Sequence, residues 1–231
     1  MSLKPDAEST RPLHVALAVV LQVRDGALQV LLWQRAQEPD RGSWSLPGGL
    51  LSPRETLEAS IRRHLEMKVD VHELAHLEQL TTLSEPARNP YARELATAFL
   101  GLVPSDADPD LPADTRWHAV DALPATAFDH GAIVLAGRDR LLGKLSYTTI
   151  GFALAPETFT LAELREIYVA ALGHDVSATN LKRVLLRRGA LVPTGERRGS
   201  GSAGGRPAQV FRYRSRRLEI TDPFAALRPP S

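Results

Sequence analysis

The chain has 231 residues, of which 43% are hydrophobic and 24% are charged, and it contains no cysteine. These proportions exclude a wholly disordered or collagen-like chain, and the lack of cysteine excludes disulfides, thiolate zinc sites and cysteine nucleophiles. The longest apolar run, residues 15–21, is far shorter than the roughly 20 residues of a membrane-spanning helix, and its surroundings are unlike a secretory signal. We therefore expect a cytoplasmic protein of two domains that does not bind membranes.

The net charge of +1 conceals a marked asymmetry along the chain. Residues 157–231 contain 13 Lys or Arg and 7 Asp or Glu, whereas residues 1–156 contain 15 Lys or Arg and 20 Asp or Glu. Residues 177–217 hold 11 basic side chains and a single acid, Glu196. Such a basic block is typical of a surface that binds polyanions, although a solvated basic face without a partner gives the same pattern.

The first 150 residues show mainly strand patterns. Residues 1–12 are polar and are predicted to form a flexible tail. Two apolar segments, residues 14–23 and 28–34, are separated by Arg-Asp-Gly, which predicts a β-hairpin. Further strands are predicted over residues 74–83, 96–103 and 117–120.

Two helices are predicted within this strand-rich part, which we assign to one domain over residues 13–150. In the first helix, residues 52–68, Ser52 and Glu55 have the spacing of a capping box, and apolar side chains recur at every fourth position: Leu57, Ile61 and Leu65. The second helix covers residues 130–144, and residues 146–156 are predicted to be a linker. Strands with interspersed helices indicate an α/β or α+β domain.

From residue 151 onwards the pattern is that of a winged helix-turn-helix domain, which we assign to residues 151–231. Thr160 and Glu163 form another capping box, and the helix that follows ends at Gly173. A basic helix over residues 177–188 ends before Gly189. Two short strands, residues 191–194 and 209–213, then flank a Gly/Ser/Arg-rich stretch.

The basic helix has the side chains of a DNA-recognition helix. Asn180, Arg183 and Arg187 share one face, and Arg and Asn are the residues that bind guanine and adenine edges through two hydrogen bonds. A helical dimerisation module with an incidental basic surface, or an RNA-binding module, are the alternatives. The predicted DNA-binding residues are Thr179, Asn180, Lys182, Arg183, Arg187 and Arg188 on the helix, and Arg197, Arg198 and Arg206 on the wing.

Residues 42–71 resemble the Nudix box, whose pattern is Gly, five residues, Glu, seven residues, then Arg-Glu-apolar-x-Glu-Glu-x-Gly-apolar. Gly49, Glu55 and Arg63 match this pattern in the correct spacing. The glutamates that hold divalent cations in this family are replaced, because the first is His64 and the pair is Met67 and Lys68; Asp70 stands in place of the later glycine. The resemblance therefore implies a domain that is not an enzyme, with no catalytic residue and no metal ligands; helix 52–68 as mere scaffold is the alternative.

Both halves together resemble the Nudix-related transcriptional regulators of NAD metabolism, the NrtR family. The shared segments include FDHG at residues 128–131, SYTTIGFALAP at 146–156, NLKRVLLRRG at 180–189 and GRPA at 205–208. This resemblance implies an α+β protein, with a Nudix-like α/β/α sandwich followed by a winged helix-turn-helix domain. It also implies a homodimeric, nucleoid-associated repressor of NAD synthesis or salvage genes that binds a palindromic operator. ADP-ribose or a related NAD derivative would be its effector rather than a cofactor.

The resemblance places the effector near the turn before the first helix. The predicted contacts are Arg35, Trp44, Leu46, Gly48, Gly49, Glu55 and Arg63. Trp44 as a core residue and Glu55–Arg63 as a structural ion pair are the alternatives. Nearby side chains receive structural interpretations: His130 as a hydrogen-bonding residue at a helix start, His64 as a surface residue, and Trp33 and Trp117 as core residues.

Two rival functions stay open at the level of sequence. The first is an active Mg²⁺-dependent ADP-ribose pyrophosphatase with an accessory basic domain, and the second is an RNA-associated Nudix protein. Lys144 and Tyr147, at the predicted join between the domains, are the expected residues for transmitting effector binding to the DNA-binding domain.

Overall fold

The computed structural model describes residues 11–69, 71–72, 74–199 and 207–221. Within these residues the first part of the chain forms a seven-stranded sheet flanked by two helices. The strands are β1 (Leu13–Arg24), β2 (Ala27–Gln34), β3 (Trp44–Ser45), β4 (Gly48–Leu50), β5 (His76–Leu83), β6 (Glu94–Leu102) and β7 (Thr115–Ala119). The helices are α1 (Leu57–Val69) and α2 (His130–Tyr147).

Strand β1 lies at the centre of this mixed sheet. The strand order is β3-β2-β1-β6-β5, in which β1 is parallel to β6 and antiparallel to β2. Outside this order, β4 pairs antiparallel with the first half of β1, and β7 pairs with β2. The predicted hairpin between β1 and β2 is confirmed. Asp25 and Gly26 both adopt positive φ, 50° and 74°, as a tight two-residue turn requires.

Residues 15–21 of strand β1 are all apolar, because both faces of the strand are buried there. Ala16, Ala18 and Val20 face α1, which packs through Ile61, Leu65 and Val69. The alternating residues Val15, Leu17, Val19 and Leu21 face α2, which packs through Ile133, Val134, Leu141 and Leu145. The predicted α/β/α sandwich is therefore confirmed.

Helix α1 begins five residues later than the sequence pattern predicted. Thr56 Oγ1 accepts the N–H of Ala59 at 3.1 Å and thus occupies the capping position. Glu55 accepts the N–H of Ser52 at 2.6 Å, so these two residues close a turn before the helix. The Ser52 hydroxyl does not cap, because the turn instead uses its backbone and the Glu55 carboxylate.

The second part of the chain is a winged helix, as predicted. Its elements are β8 (Phe159–Thr160), α3 (Leu161–Leu172), α4 (Ala178–Arg187), β9 (Leu191–Arg198) and β10 (Ala208–Tyr213), with the sheet order β8-β10-β9. Both hydrogen bonds of the Thr160–Glu163 capping box are present, and Gly173 ends α3 at a φ of 72°. Strand β9 is longer than the strand predicted over residues 191–194, because it continues through Arg198.

Residues 146–156 were predicted to be a linker but form part of the core. Residues 150–155 are fully buried, because the segment Ile-Gly-Phe-Ala-Leu-Ala is apolar and lies between α2 and the winged helix. Gly151 packs directly beneath the hydroxyls of Tyr168 and Tyr213, which are 3.1 Å apart. One continuous apolar cluster therefore includes residues of both parts of the chain.

No helix among the described residues is long and apolar enough to cross a membrane.

Candidate binding cleft and nucleic-acid interface

A cleft of about 880 Å³ opens between the first half of β1, strand β4, helix α1 and the loops after β2 and before β6. Five of the seven predicted effector contacts line it: Arg35, Leu46, Gly48, Gly49 and Arg63. Trp44 and Glu55 do not. The cleft therefore lies where the sequence placed the ligand, with a partly different lining.

Trp33, which was interpreted as a core residue, lines the cleft instead of Trp44. Trp33 pairs across the sheet with Ser45, so Trp44, the adjacent residue, faces the opposite side of the sheet. There it stacks edge-on against His118, with ring centroids 4.3 Å apart. The aromatic surface of the cleft is thus supplied by Trp33, together with Phe128 and Tyr91.

Glu55 and Arg63 form a two-bonded ion pair. Arg63 Nε donates to Oε2 at 3.0 Å and Nη2 donates to Oε1 at 2.5 Å. The Arg63 guanidinium beside Glu55 holds the pKa of that carboxyl well below its usual range. This geometry agrees with the alternative of a structural pair for Glu55, although Arg63 also reaches the cleft.

His64 is buried, so its interpretation as a surface helix residue is wrong. Its ring occupies the space beside Gly49, where a Cβ would lie 2.5 Å from His64 Cε1, and its Nε2 lies 3.1 Å from the Leu50 carbonyl. Burial lowers the pKa of His64, so the neutral ring is favoured and donates to that carbonyl. The side chain thereby ties α1 to the glycine turn.

Lys68 is a cleft residue that the sequence reading did not assign to the site. Its Nζ donates to the Gly48 carbonyl at 2.7 Å and lies 4.5 Å from the centroid of the Trp33 ring. Burial lowers the pKa of Lys68, and the charges of Arg35 and Arg63 lower it further. The signal available in the sequence was that Lys68 stands at one of the paired glutamate positions of the Nudix box.

His130 begins α2, and its Nδ1 accepts the N–H of Leu46 at 3.0 Å. Burial lowers the pKa of His130 to about 4, so the ring is neutral at physiological pH. These contacts agree with its interpretation as a hydrogen-bonding residue at a helix start. Beside it, Arg35 lies 5.0 Å from the Phe128 ring and donates from Nε to the Pro39 carbonyl at 2.8 Å.

The exposed face of α4 presents the predicted recognition residues. Leu181 and Leu185 are buried and hold the helix against the domain, whereas Asn180, Arg183 and Arg187 are exposed on the outer side, as is Thr179. Arg183 Nη2 donates to Asn180 Oδ1 at 2.8 Å. This bond aligns an amide and a guanidinium, which are the two groups best suited to base edges.

The flanking cations already have contacts within the chain. Lys182 Nζ lies 5.5 Å from the Phe211 ring, and Arg188 donates to the Ser146 carbonyl at the end of α2. Arg198 donates from Nη1 to both carboxylate oxygens of Glu163, at 2.7 and 2.8 Å. Arg197 is exposed on the wing, and Arg206 lies outside the described residues.

Among the described residues, no group of three or more His, Cys, Asp or Glu side chains could hold a metal ion.

This architecture defines the class of protein: a Nudix domain joined to a DNA-binding winged helix. The family model of the NUDIX domain matches residues 12–136, and the model of the NrtR DNA-binding winged helix domain matches residues 151–213. The chain belongs to the NrtR family of Nudix-related transcriptional regulators.

Individual relatives support this assignment. The ADPR responsive transcriptional repressor NtrR of Acinetobacter baylyi is 31% identical over 209 residues, which are 87% of this chain and 82% of that protein. Shewanella oneidensis NrtR complexed with a 27mer DNA has a TM-score of 0.73 and 29% identity, with 87% of this chain and 93% of that chain covered. The NUDIX domain of the same protein, complexed with ADP ribose, has a TM-score of 0.50 and 30% identity over 56% of this chain and 88% of that one.

Proposed function

We propose that this chain is a DNA-binding transcriptional repressor of NAD synthesis or salvage genes. ADP-ribose, or a related NAD derivative, binds the cleft of the Nudix domain and changes the affinity for DNA. The observation that carries the proposal is that a single apolar core joins a cation-lined cleft to a winged helix with an exposed Asn180–Arg183–Arg187 face. The names of the Acinetobacter and Shewanella relatives support the same assignment of partner and effector.

On DNA, the face of α4 enters the major groove. Arg183 and Asn180 contact base edges, and Arg187 and Thr179 lie beside them on the exposed surface. Lys182, Arg188 and the wing arginines Arg197, Arg198 and Arg206 contact phosphates. Two copies related by a two-fold axis then require a palindromic operator with half-sites about one or two helical turns apart.

In the cleft, cations and backbone amides bind the diphosphate of the effector. Arg35 and Arg63 supply guanidinium groups, and the Gly48–Gly49 turn lets a phosphate approach the backbone closely. The ring of Trp33 offers an apolar surface to the ribose or the base. No cofactor is needed for this binding.

The cleft binds without hydrolysing. Turnover in a Nudix enzyme needs carboxylates to hold divalent cations, and here the paired positions are Met67 and Lys68, while Glu55 is held by Arg63. The rival, an active Mg²⁺-dependent pyrophosphatase, predicts conversion of ADP-ribose to AMP. The residues at the paired positions, Met67 and Lys68, support a domain that binds the nucleotide without hydrolysing it.

The path between the two sites runs through the end of α2. Lys144 forms an ion pair with Glu78 at 2.9 Å, which joins α2 to strand β5, and the Tyr147 backbone carbonyl accepts the N–H of Thr221 at 2.9 Å, which joins α2 to the segment after the wing. Tyr147→Ala keeps the backbone bond and removes the half-buried ring, so if that ring belongs to the path, the variant reduces the response of DNA binding to ADP-ribose. An unchanged response removes Tyr147 from the path.

The decisive experiment measures DNA binding and hydrolysis in the same tubes. Gel shifts use the upstream region of the gene and of NAD-synthesis genes, with and without ADP-ribose and Mg²⁺, and thin-layer chromatography follows the nucleotide. We expect sequence-selective binding that intact ADP-ribose alters. Conversion of ADP-ribose to AMP with only nonselective DNA binding would show that the protein is an enzyme, and preferential competition by single-stranded RNA would favour an RNA-associated function.

A further inference from the structure

The region of the Nudix helix that would face a divalent cation does not fit one. Met67 is 75% exposed and points to solvent, and Glu58 is paired with Arg62 at 3.0 Å on the outer surface. Glu66 is exposed and does not line the cleft, and Glu55 already accepts two hydrogen bonds from Arg63. A cation placed here would have to compete with a guanidinium for its carboxylate ligand.

Lys68 instead brings its own positive charge into the cleft. The side chain is half-buried, reaches the Gly48 carbonyl at 2.7 Å and passes over the Trp33 ring. Among the described residues it forms no ion pair with a carboxylate, and neither does Arg35; the contacts of both are carbonyls and aromatic rings. An ammonium with three donors has two left for a ligand after the bond to Gly48.

These cations raise the free energy of the empty cleft. Arg35, Arg63 and Lys68 line the same cleft, where burial and then the charges of the two arginines lower the pKa of Lys68. A dianionic diphosphate between them would remove this repulsion and would gain charge-assisted hydrogen bonds. The cleft is therefore electrostatically prepared for an anion without any added cation.

We propose that the Lys68 ammonium takes the place of the divalent cation, so that the diphosphate of the effector binds in a metal-independent way. This inference rests on the proposed function, since it concerns the same ligand in the same cleft. Lys68 holds the diphosphate beside the Gly48–Gly49 turn, while Arg35 binds it from the opposite loop. Lys68 stands where the Nudix pattern has a metal-binding glutamate, so the same residue that removes the metal ligand supplies a positive charge in place of the cation.

The test is calorimetric titration of the full chain with ADP-ribose and, separately, with inorganic pyrophosphate, in EDTA and in Mg²⁺. We expect equal affinities in the two buffers and a loss of about 10- to 100-fold in Lys68→Gln, because a hydrogen bond to a charged group is lost. Lys68→Arg, which keeps the charge, should recover part of the affinity. Arg62→Gln removes the same charge from the same helix outside the cleft and should bind like the parent.

Separate outcomes identify separate failures. Binding that requires Mg²⁺, or an unchanged affinity in a folded Lys68→Gln, overturns the role of Lys68 but leaves ADP-ribose as effector. Pyrophosphate binding in EDTA that depends on Lys68, without any ADP-ribose binding, retains the role of Lys68 and refutes the effector. Failure of both ligands to bind overturns both. As a second variant, Lys68→Glu, which reverses the charge inside the cleft, should abolish the binding of both ligands in EDTA, and retained binding in a folded Lys68→Glu overturns the role of Lys68.

Discussion

Replacing Gly151 by Ala tests whether the junction between the two parts of the chain is a close-packed core. A Cβ at Gly151 would lie 2.5 Å from Tyr168 Oη and even closer to Tyr213 Oη, in a region where both rings are buried. Overpacking together with disruption of the Tyr–Tyr hydrogen bond should lower the free energy of unfolding by about 2–4 kcal/mol. For a chain of this size, each 1 kcal/mol of lost stability lowers the midpoint of thermal unfolding by roughly 2–4 °C.

Thermal and urea unfolding, followed by circular dichroism and by tryptophan fluorescence, measure this effect. Gly143→Ala in α2 is the matched control, because a Cβ there meets nothing within 4 Å, and it should stabilise by about 0.5–1 kcal/mol. In a Tyr168→Phe/Tyr213→Phe background, which lacks both hydroxyls, the cost of Gly151→Ala should fall sharply. A cost that is absent in the parent, or equal in both backgrounds, would refute this reasoning.

Three further predictions concern charge. Burial lowers the pKa of His130 to about 4, so between about pH 6.5 and 4 the unfolded chain binds a proton that the folded chain does not. The free energy of unfolding should therefore fall by roughly 3 kcal/mol as the pH falls through this window. Urea titrations at several pH values should show a weaker pH dependence in His130→Asn. Arg183→Ala should cost about 1–3 kcal/mol in the free energy of operator binding and relax the base preference. Lys182→Ala should weaken binding to all DNA sequences alike and reduce the slope of log affinity against log salt concentration by roughly one. Fluorescence anisotropy at several salt concentrations measures both effects. Glu163→Gln preserves the capping box but frees Arg198, so gel shifts should show DNA binding tightened by up to about fivefold; unchanged binding would mean that Arg198 does not reach DNA.

The elements were predictable from sequence where a local rule determines them. Asp25-Gly26 specified its hairpin, and Thr160–Glu163 with Gly173 specified both ends of α3. The segment 146–156 was not recognised as core, because hydrophobicity alone does not say which surface will cover it. Helix α1 was extended too far because Ser52–Glu55 has the spacing of a cap but closes a separate turn.

The lining of the cleft was harder to predict than its location. The Nudix spacing located the glycine turn and Arg63, but the choice between Trp33 and Trp44 depends on sheet register, which the sequence did not reveal. His64 is buried only because Gly49 leaves space for its ring across the turn. Contacts between residues distant in sequence thus decided the parts that sequence reasoning missed.

The burial of residues 150–155 has a consequence for how the molecule can move. Because Phe152 and its neighbours belong to a core that both parts share, a bend at this segment would expose apolar surface at about 25 cal/mol per Å². Bending the chain where the two parts join is therefore costly in free energy. A change at the cleft would then move the winged helix and the sheet together, as one rigid unit.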